Sequence, residues 1–303
     1  VKRLRPAEFS RYDYSQENYT ELLWFFEGFT SYYDDLLLRR AGLIDHASYL
    51  KLLTKAVQQV LQTPGRAVQT VAQASFDAWI RYYRPDAHTP NSTVSYYTKG
   101  ALVALCLDLS LRREGRTTLD DVLRTLWQRS AGGPMDEALL REVLQDLGGR
   151  SFDAELDAWV HSTAELPLAE LLQVHGMALQ SDAPQPAQRL GLRVTEGSAV
   201  LVKTVLRGGL AEQAGMAPGD EWLGIEVQGQ GWRITQLDDL ALYAGKATQV
   251  TALVSRDRRL LRLPLALQRP TGNKRKASAP EQPDTVTLAI TDAARAARWL
   301  DGH

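Results

Sequence analysis

Cysteine is almost absent, with Cys106 the only one in 303 residues. A single thiol excludes an internal disulfide framework and a thiolate zinc cluster. It lies in the apolar run 101–107, which predicts a buried, inert side chain. Long hydrophobic runs are also missing. None approaches the ~18–20 apolar residues that a membrane span needs. The opening Val1-Lys-Arg-Leu-Arg-Pro6 has no methionine and no apolar stretch behind its basic residues, so no signal peptide is visible. This start resembles the interior of a longer protein, with any signal upstream of Val1, so the compartment stays open. An excess of either charge is lacking as well. Lys and Arg number 35 against 36 Asp and Glu, a formal net charge of −1. That balance excludes a generally basic nucleic-acid binder and a strongly acidic tail protein. What is present is an ordinary globular mixture, 44% hydrophobic and 23% charged, long enough for two domains.

Residues 1–180 predict helices. The stretch 21–40 is apolar and aromatic, and Gly42 follows it as a stop. Asp45 is placed to cap a helix over 49–61, where Tyr49, Leu52, Leu53, Ala56 and Val60 keep helical spacing and Pro64-Gly65 ends the run. Residues 66–93 predict a short helix inside a long loop. The most apolar helix spans 93–113 and is therefore central. Shorter helices follow over 119–129, 135–147, 152–161 and 168–174, with no strand alternation in this half. Ser181-Asp-Ala-Pro-Gln-Pro186 is a linker signal. Beyond it, short β-like runs occur at 190–194, 199–205, 221–227, 250–254 and 260–267, with small helices at 210–214 and 237–244. Residues 271–284, including the short basic run Lys274-Arg-Lys276, predict a solvated loop or disorder. A short strand and a terminal helix at 292–300 could pack back on the body. The class is α+β multidomain: a helical domain at 1–180, a small α/β domain at 181–269, and a linker with C-terminal extension at 270–303.

Two segments carry chemistry. Trp24-Phe-Phe-Glu-Gly-Phe-Thr-Ser-Tyr-Tyr33 sets a glutamate in an aromatic helix, where an unpaired carboxylate is costly to bury. A metal, an Arg or a Lys would compensate it, and a structural ion pair is the plainer of these. Ser95-Tyr-Tyr-Thr-Lys-Gly-Ala-Leu102 opens the most apolar helix. A tyrosine hydroxyl there can stabilise an oxyanion if it enters a cleft, or can simply be the wet tip of a packed ring.

Together, Glu-Gly-Phe-Thr-Ser-Tyr and the later Tyr-x-Lys-Gly resemble the gluzincin zinc aminopeptidases, and within them the glycyl aminopeptidases with a C-terminal PDZ domain. The likeness extends to Val1–Pro6, Tyr14–Thr20, Trp24–Gly28, Asp86–Ser95 and His161–Pro167. It implies the helical half of a gluzincin catalytic domain that uses metal-activated water to remove N-terminal Gly or Ala from peptides. It further implies Glu27 as the third zinc ligand and Tyr97 as the tyrosine facing the tetrahedral intermediate, with Tyr96 as second choice.

The resemblance also has a gap. The five histidines, His46, His88, His161, His175 and His303, form no His-Glu-x-x-His, and no two are spaced i, i+4 on one helix. The zinc helix and its general base would lie before Val1. The expectation is therefore the C-terminal part of an enzyme, inactive alone and without zinc of its own, unless another chain supplies the missing segment.

Residues 202–227 resemble a PDZ core, with Leu210–Ala214 as a helical turn and Pro218-Gly219-Asp220 as a tight turn. Leu190, Gly191 and Leu192 occupy the place of the carboxylate-binding loop, which implies capture of a peptide C-terminus and peptide addition as a strand. The rival expectation is a non-catalytic peptide-binding scaffold derived from the peptidase. A fragment of an enzyme should expose an aromatic cleft around Glu27. A true scaffold should cover it, for instance with residues 285–303.

Overall fold

The structure is a computed structural model that describes residues 3–268 and 285–302. The first part holds helices α1 (Leu23–Arg40), α2 (His46–Leu61), α3 (Val71–Phe76), α4 (Thr89–Ser92), α5 (Tyr96–Glu114), α6 (Leu119–Arg129), α7 (Glu137–Gly148), α8 (Asp153–Trp159) and α9 (Leu168–Val174). Two short strands, β1 (Arg5–Pro6) and β2 (Pro134–Met135), pair in parallel beside them. Strand β3 (Met177–Asp182) ends this part. The second part contains α10 (Pro186–Leu190), β4 (Leu192–Glu196), β5 (Val200–Val205), α11 (Leu210–Gln213), β6 (Glu221–Val227), β7 (Gln230–Arg233), α12 (Asp239–Ala244), β8 (Gln249–Arg256) and β9 (Arg259–Ala266). The chain closes with β10 (Thr285–Ile290) and α13 (Ala293–Leu300). The mixed α+β class is as expected.

The central element is α5. Its buried residues run without a break from Lys99 to Leu111, so it is enclosed on all sides. The Ser95 hydroxyl caps its start by accepting the Thr98 N–H, and Gly115, with φ +71°, ends it in the left-handed region. Helix α1 has no side-chain cap of its own. The Trp24 N–H instead donates to the Ser75 hydroxyl of α3, 2.9 Å away, so a distant residue satisfies an orphan donor at the helix start. Asp45 caps α2 as the sequence predicts, accepting the Ser48 N–H at 2.8 Å.

Two hydrophobic cores result. One fills the helical part and includes Trp24, Phe25, Leu105, Cys106 and Leu144. The other lies under the sheet β4-β5-β6-β8-β9, with β7 on β6, and includes Leu190, Val200, Trp222 and Ile225. The C-terminal segment belongs to the first core. Strand β10 pairs antiparallel with β3 from Thr285↔Asp182 to Ile290↔Met177, and α13 buries Trp299 and Leu300 in the helical part.

Several expectations need correction. Strand β3 runs to Asp182, so the linker expected at 181–186 narrows to residues 183–185 before α10. The interval 66–93 holds separate short helices, among them α3 and α4. Leu190 ends helix α10, and the following strand begins at Leu192. Strands β1, β2 and β7 were not legible, because each is only two to four residues long. The loop expected at 271–284 lies outside the described residues, as do Lys274–Lys276 and His303.

Candidate active site around Glu27 and Tyr97

Helices α1 and α5 cross in backbone contact. A β-carbon added to Gly28 would lie 2.5 Å from the carbonyl carbon of Gly100, and one added to Gly100 would lie 2.5 Å from the Trp24 carbonyl oxygen. Only glycine at both positions permits this approach. The crossing brings Glu27, one residue before Gly28, near the first turn of α5, where its charge bears on the Tyr97 hydroxyl.

Both groups are partly buried. Burial holds the Glu27 carboxyl above its ordinary value, and the nearby Tyr97 hydroxyl works in the opposite direction. Burial also raises the Tyr97 hydroxyl, as do its contact with Tyr83 and the nearby Glu27 charge. Tyr97 therefore remains a proton-bearing donor at neutral pH. Tyr96 differs in surroundings. It is 1% exposed, with its hydroxyl 3.3 Å from that of Tyr83. Of the two candidates, Tyr97 is the one at the carboxylate.

Aromatic side chains surround the pair. The Tyr82 ring lies 4.9 Å from that of Tyr96 and 5.6 Å from that of Tyr97. Phe76, Trp79, Ile80, Tyr82 and Tyr83 are all exposed. Phe25, Phe26, Phe29, Tyr33 and Leu37 line a further apolar groove of about 530 Å³ along α1. Sequence reasoning treated the aromatics of α1 chiefly as core. It did not foresee the exposed set at 76–83, because those residues fall in a stretch without helical periodicity.

The carboxylate chemistry of Glu27 suits a zinc ion, but the donor set is short. Among the described residues no three His, Cys, Asp or Glu side chains are grouped to hold a metal. His46 contacts Arg39, His161 contacts Glu137, and the His175 ring contacts the Leu109 carbonyl. One carboxylate does not make a zinc site, so these residues alone do not fit the ion.

Leu190, Gly191 and Leu192 are not part of this constellation. Leu190 is buried, the Gly191 N–H is engaged by the Gln188 carbonyl at 3.1 Å, and Leu192 pairs with Val205. Among the described residues strand β4 pairs with β5 alone, so its other edge carries no strand. Leu190, Leu240 and Ala244 line a neighbouring cavity of about 180 Å³. The Asn91 side chain of α4 ties this part to the helices. It donates to the Val205 carbonyl at 2.8 Å and accepts the Arg207 N–H at 2.9 Å.

Residues 1–103, which include Glu27 and Tyr97, match the family described as M61 glycyl aminopeptidase. The resemblance to that family holds. An aminopeptidase N family protein from Idiomarina loihiensis, solved by crystallography, superposes with a TM-score of 0.86 at 30% identity over 98% of this chain. The chain spans 51% of the length of that protein. An HtrA-type protease, AlgW with decapeptide, is 22% identical over 35% of this chain, with a TM-score of 0.20. No curated protein matches. The chain is peptidase-related.

Proposed function

We propose that this chain is the C-terminal part of a zinc-dependent aminopeptidase that removes N-terminal glycine or alanine from peptides. The observation that carries this reading is the Gly28–Gly100 crossing, which sets the Glu27 carboxylate near the Tyr97 hydroxyl. Glu27 is the carboxylate that the chain contributes to the metal, and the remaining ligands come from residues outside it. Held by Glu27 and by ligands from outside the chain, the ion would polarise the scissile carbonyl and activate water. Tyr97 would donate its hydroxyl to the carbonyl oxygen as negative charge develops there. The surrounding aromatic side chains exclude water and so strengthen both interactions. Without the other ligands the chain alone is inactive.

The second part is read as a PDZ-type body that takes a peptide C-terminus beside Leu190–Leu192, with the open edge of β4 accepting an added strand. The alternative of a non-catalytic scaffold predicts a covered cleft. Residues 285–302 pack instead on α2, β3 and the Tyr32 face of α1, and the aromatic surface at 76–83 stays open. That arrangement favours the enzyme.

The test uses the gene product carrying whatever sequence lies upstream of Val1. A His-Glu-x-x-His motif is expected within a few residues of Val1. In that protein, Glu27→Gln should lose zinc, read by metal analysis, together with hydrolysis of glycyl peptides. An unrelated upstream sequence, or full zinc content in the variant, overturns the reading.

A further inference from the structure

The C-terminal turn of α5, the loop after it, the start of α6 and one face of α13 enclose a cavity of about 480 Å³. This is the size of a small-molecule site. Its charged lining is Arg112, Arg113, Arg116, Arg295 and Arg298, against the single carboxylate of Asp121. We propose that this cavity binds a small anion of the phosphate class with at least two negative charges, such as a polyphosphate or a phosphate ester.

The charge is local. The chain as a whole carries −1, yet five arginines and, among the described residues, no lysine line this cavity. Arginine presents a planar fork of donors that matches phosphate oxygens in pairs, which an ammonium group cannot do. Three of the five are held in place by carboxylates: Arg112 by Asp108 at 3.0 Å, Arg113 by Glu170 at 3.0 Å and Arg295 by Asp292 at 3.3 Å. Arg116 and Arg298 have no carboxylate partner among the described residues. They come from different elements, and a ligand between them gains with each charge and acceptor oxygen it carries. A phosphate group brings about two charges and three acceptor oxygens, where a carboxylate brings one charge and two oxygens.

The other polar groups in the cavity are already engaged. Asp121 accepts from Arg124 at 2.8 Å and from the Thr118 hydroxyl at 2.9 Å, so its charge is partly answered from outside the cavity. The His175 ring meets the Leu109 carbonyl through Nε2 at 2.8 Å, and its burial favours the neutral form. The positive field therefore rests on the guanidinium groups. Among the described residues Arg116 and Arg298 are the two of the five without a carboxylate, and an anion seated between them would supply the missing counter-charge. The site is separate from the Glu27 region. Arg112 stands fifteen residues along α5 from Tyr97, or about 22 Å at helical rise.

The experiment titrates the full chain with pyrophosphate at low ionic strength, by calorimetry and by thermal shift. Saturable binding with a raised unfolding midpoint is expected. The double variant Arg116→Gln/Arg298→Gln should bind about tenfold more weakly or worse. Both side chains are exposed and outside any ion pair, so the fold should be unaffected, as circular dichroism would show. A control, Arg258→Gln/Arg259→Gln, removes equal charge from the exposed β8–β9 turn and should bind as the parent does. Absence of binding by the parent chain overturns the proposal. So does equal weakening in both variants, which would mean general charge attraction. Citrate binding as tightly as pyrophosphate overturns the phosphate assignment.

Discussion

Gly28 and Gly100 meet backbone to backbone, and a β-carbon on either would enter the space of the other helix. In an ordinary helix, Gly→Ala gains about 0.5–1 kcal/mol. At Gly100 the sign should reverse, because the new methyl would lie 2.5 Å from the Trp24 carbonyl oxygen, which cannot move without shifting α1. Overpacking of this kind costs about 1–3 kcal/mol. Gly100→Ala should therefore lower the thermal midpoint by several degrees. Gly197→Ala, with nothing within 4 Å of the added atom, should leave it unchanged. A stabilised Gly100→Ala protein would show that the crossing is looser than described.

Glu27 gives a pH prediction with a definite sign. Its burial raises the folded-state carboxyl above its ordinary value of 4.5. The folded chain thus holds the proton more tightly than the unfolded chain. The associated stability is complete below the unfolded value and is lost as pH rises through the folded one. At pH 7 the ionised carboxylate weakens the isolated chain. Glu27→Gln should then be more stable than its parent in urea at pH 7, with the difference vanishing near pH 4. A variant less stable at pH 7 would mean that Glu27 has a cationic partner, as an ion-pair role requires.

The two neighbouring tyrosines should separate cleanly. The Glu27 charge bears on the Tyr97 hydroxyl, whereas Tyr96 is buried with its hydroxyl against that of Tyr83. In the protein carrying its upstream segment, Tyr97→Phe should keep the metal and lower kcat by about 10²–10³, the usual loss for one oxyanion donor. Tyr96→Phe should change thermal stability more than turnover. Steady-state kinetics on a glycyl peptide, with metal analysis alongside, decides between them.

How much of this was legible in the sequence follows from the range of the interactions. The Asp45 and Ser95 caps are local, since the side chain and the N–H it satisfies lie three residues apart, and both are readable from the chain. Glu27 and Tyr97 were readable as motif residues, but their proximity was not, because it depends on a crossing of glycines 72 positions apart. Pro64-Gly65 looks like a helix stop. Gly65 is also a packing residue, since a β-carbon there would fall 2.0 Å from the Thr93 carbonyl oxygen. Strand β3 reads Met-Ala-Leu-Gln-Ser-Asp, without a β-branched residue, and becomes a strand because β10 returns to it more than 100 residues later. The arginine cavity is equally invisible, since its walls come from α5 (Tyr96–Glu114) and α13 (Ala293–Leu300), far apart in the chain.

The return of the C-terminus rests on a buried relay. The Trp299 indole N–H donates to the Tyr32 hydroxyl at 3.0 Å, and that hydroxyl donates to the Asp108 carboxylate at 2.6 Å. Asp108 also accepts from Arg112 Nε at 3.0 Å and from the Leu119 N–H at 3.1 Å, and it is fully buried. Each group thus leans on the next, and the carboxylate closes the series. Asp108→Ala would leave a buried guanidinium without its nearest counter-charge, at a cost of about 3–5 kcal/mol. Tyr32→Phe removes one donor and one acceptor at once, so its effect should not add to that of Trp299→Phe. A double-mutant cycle should give a coupling of about 0.5–3 kcal/mol. Hydrogen exchange across residues 293–302 should rise in every one of these variants, because α13 is the element the relay anchors. Additive effects with unchanged exchange would mean that α13 is held by burial of Trp299 and Leu300 alone.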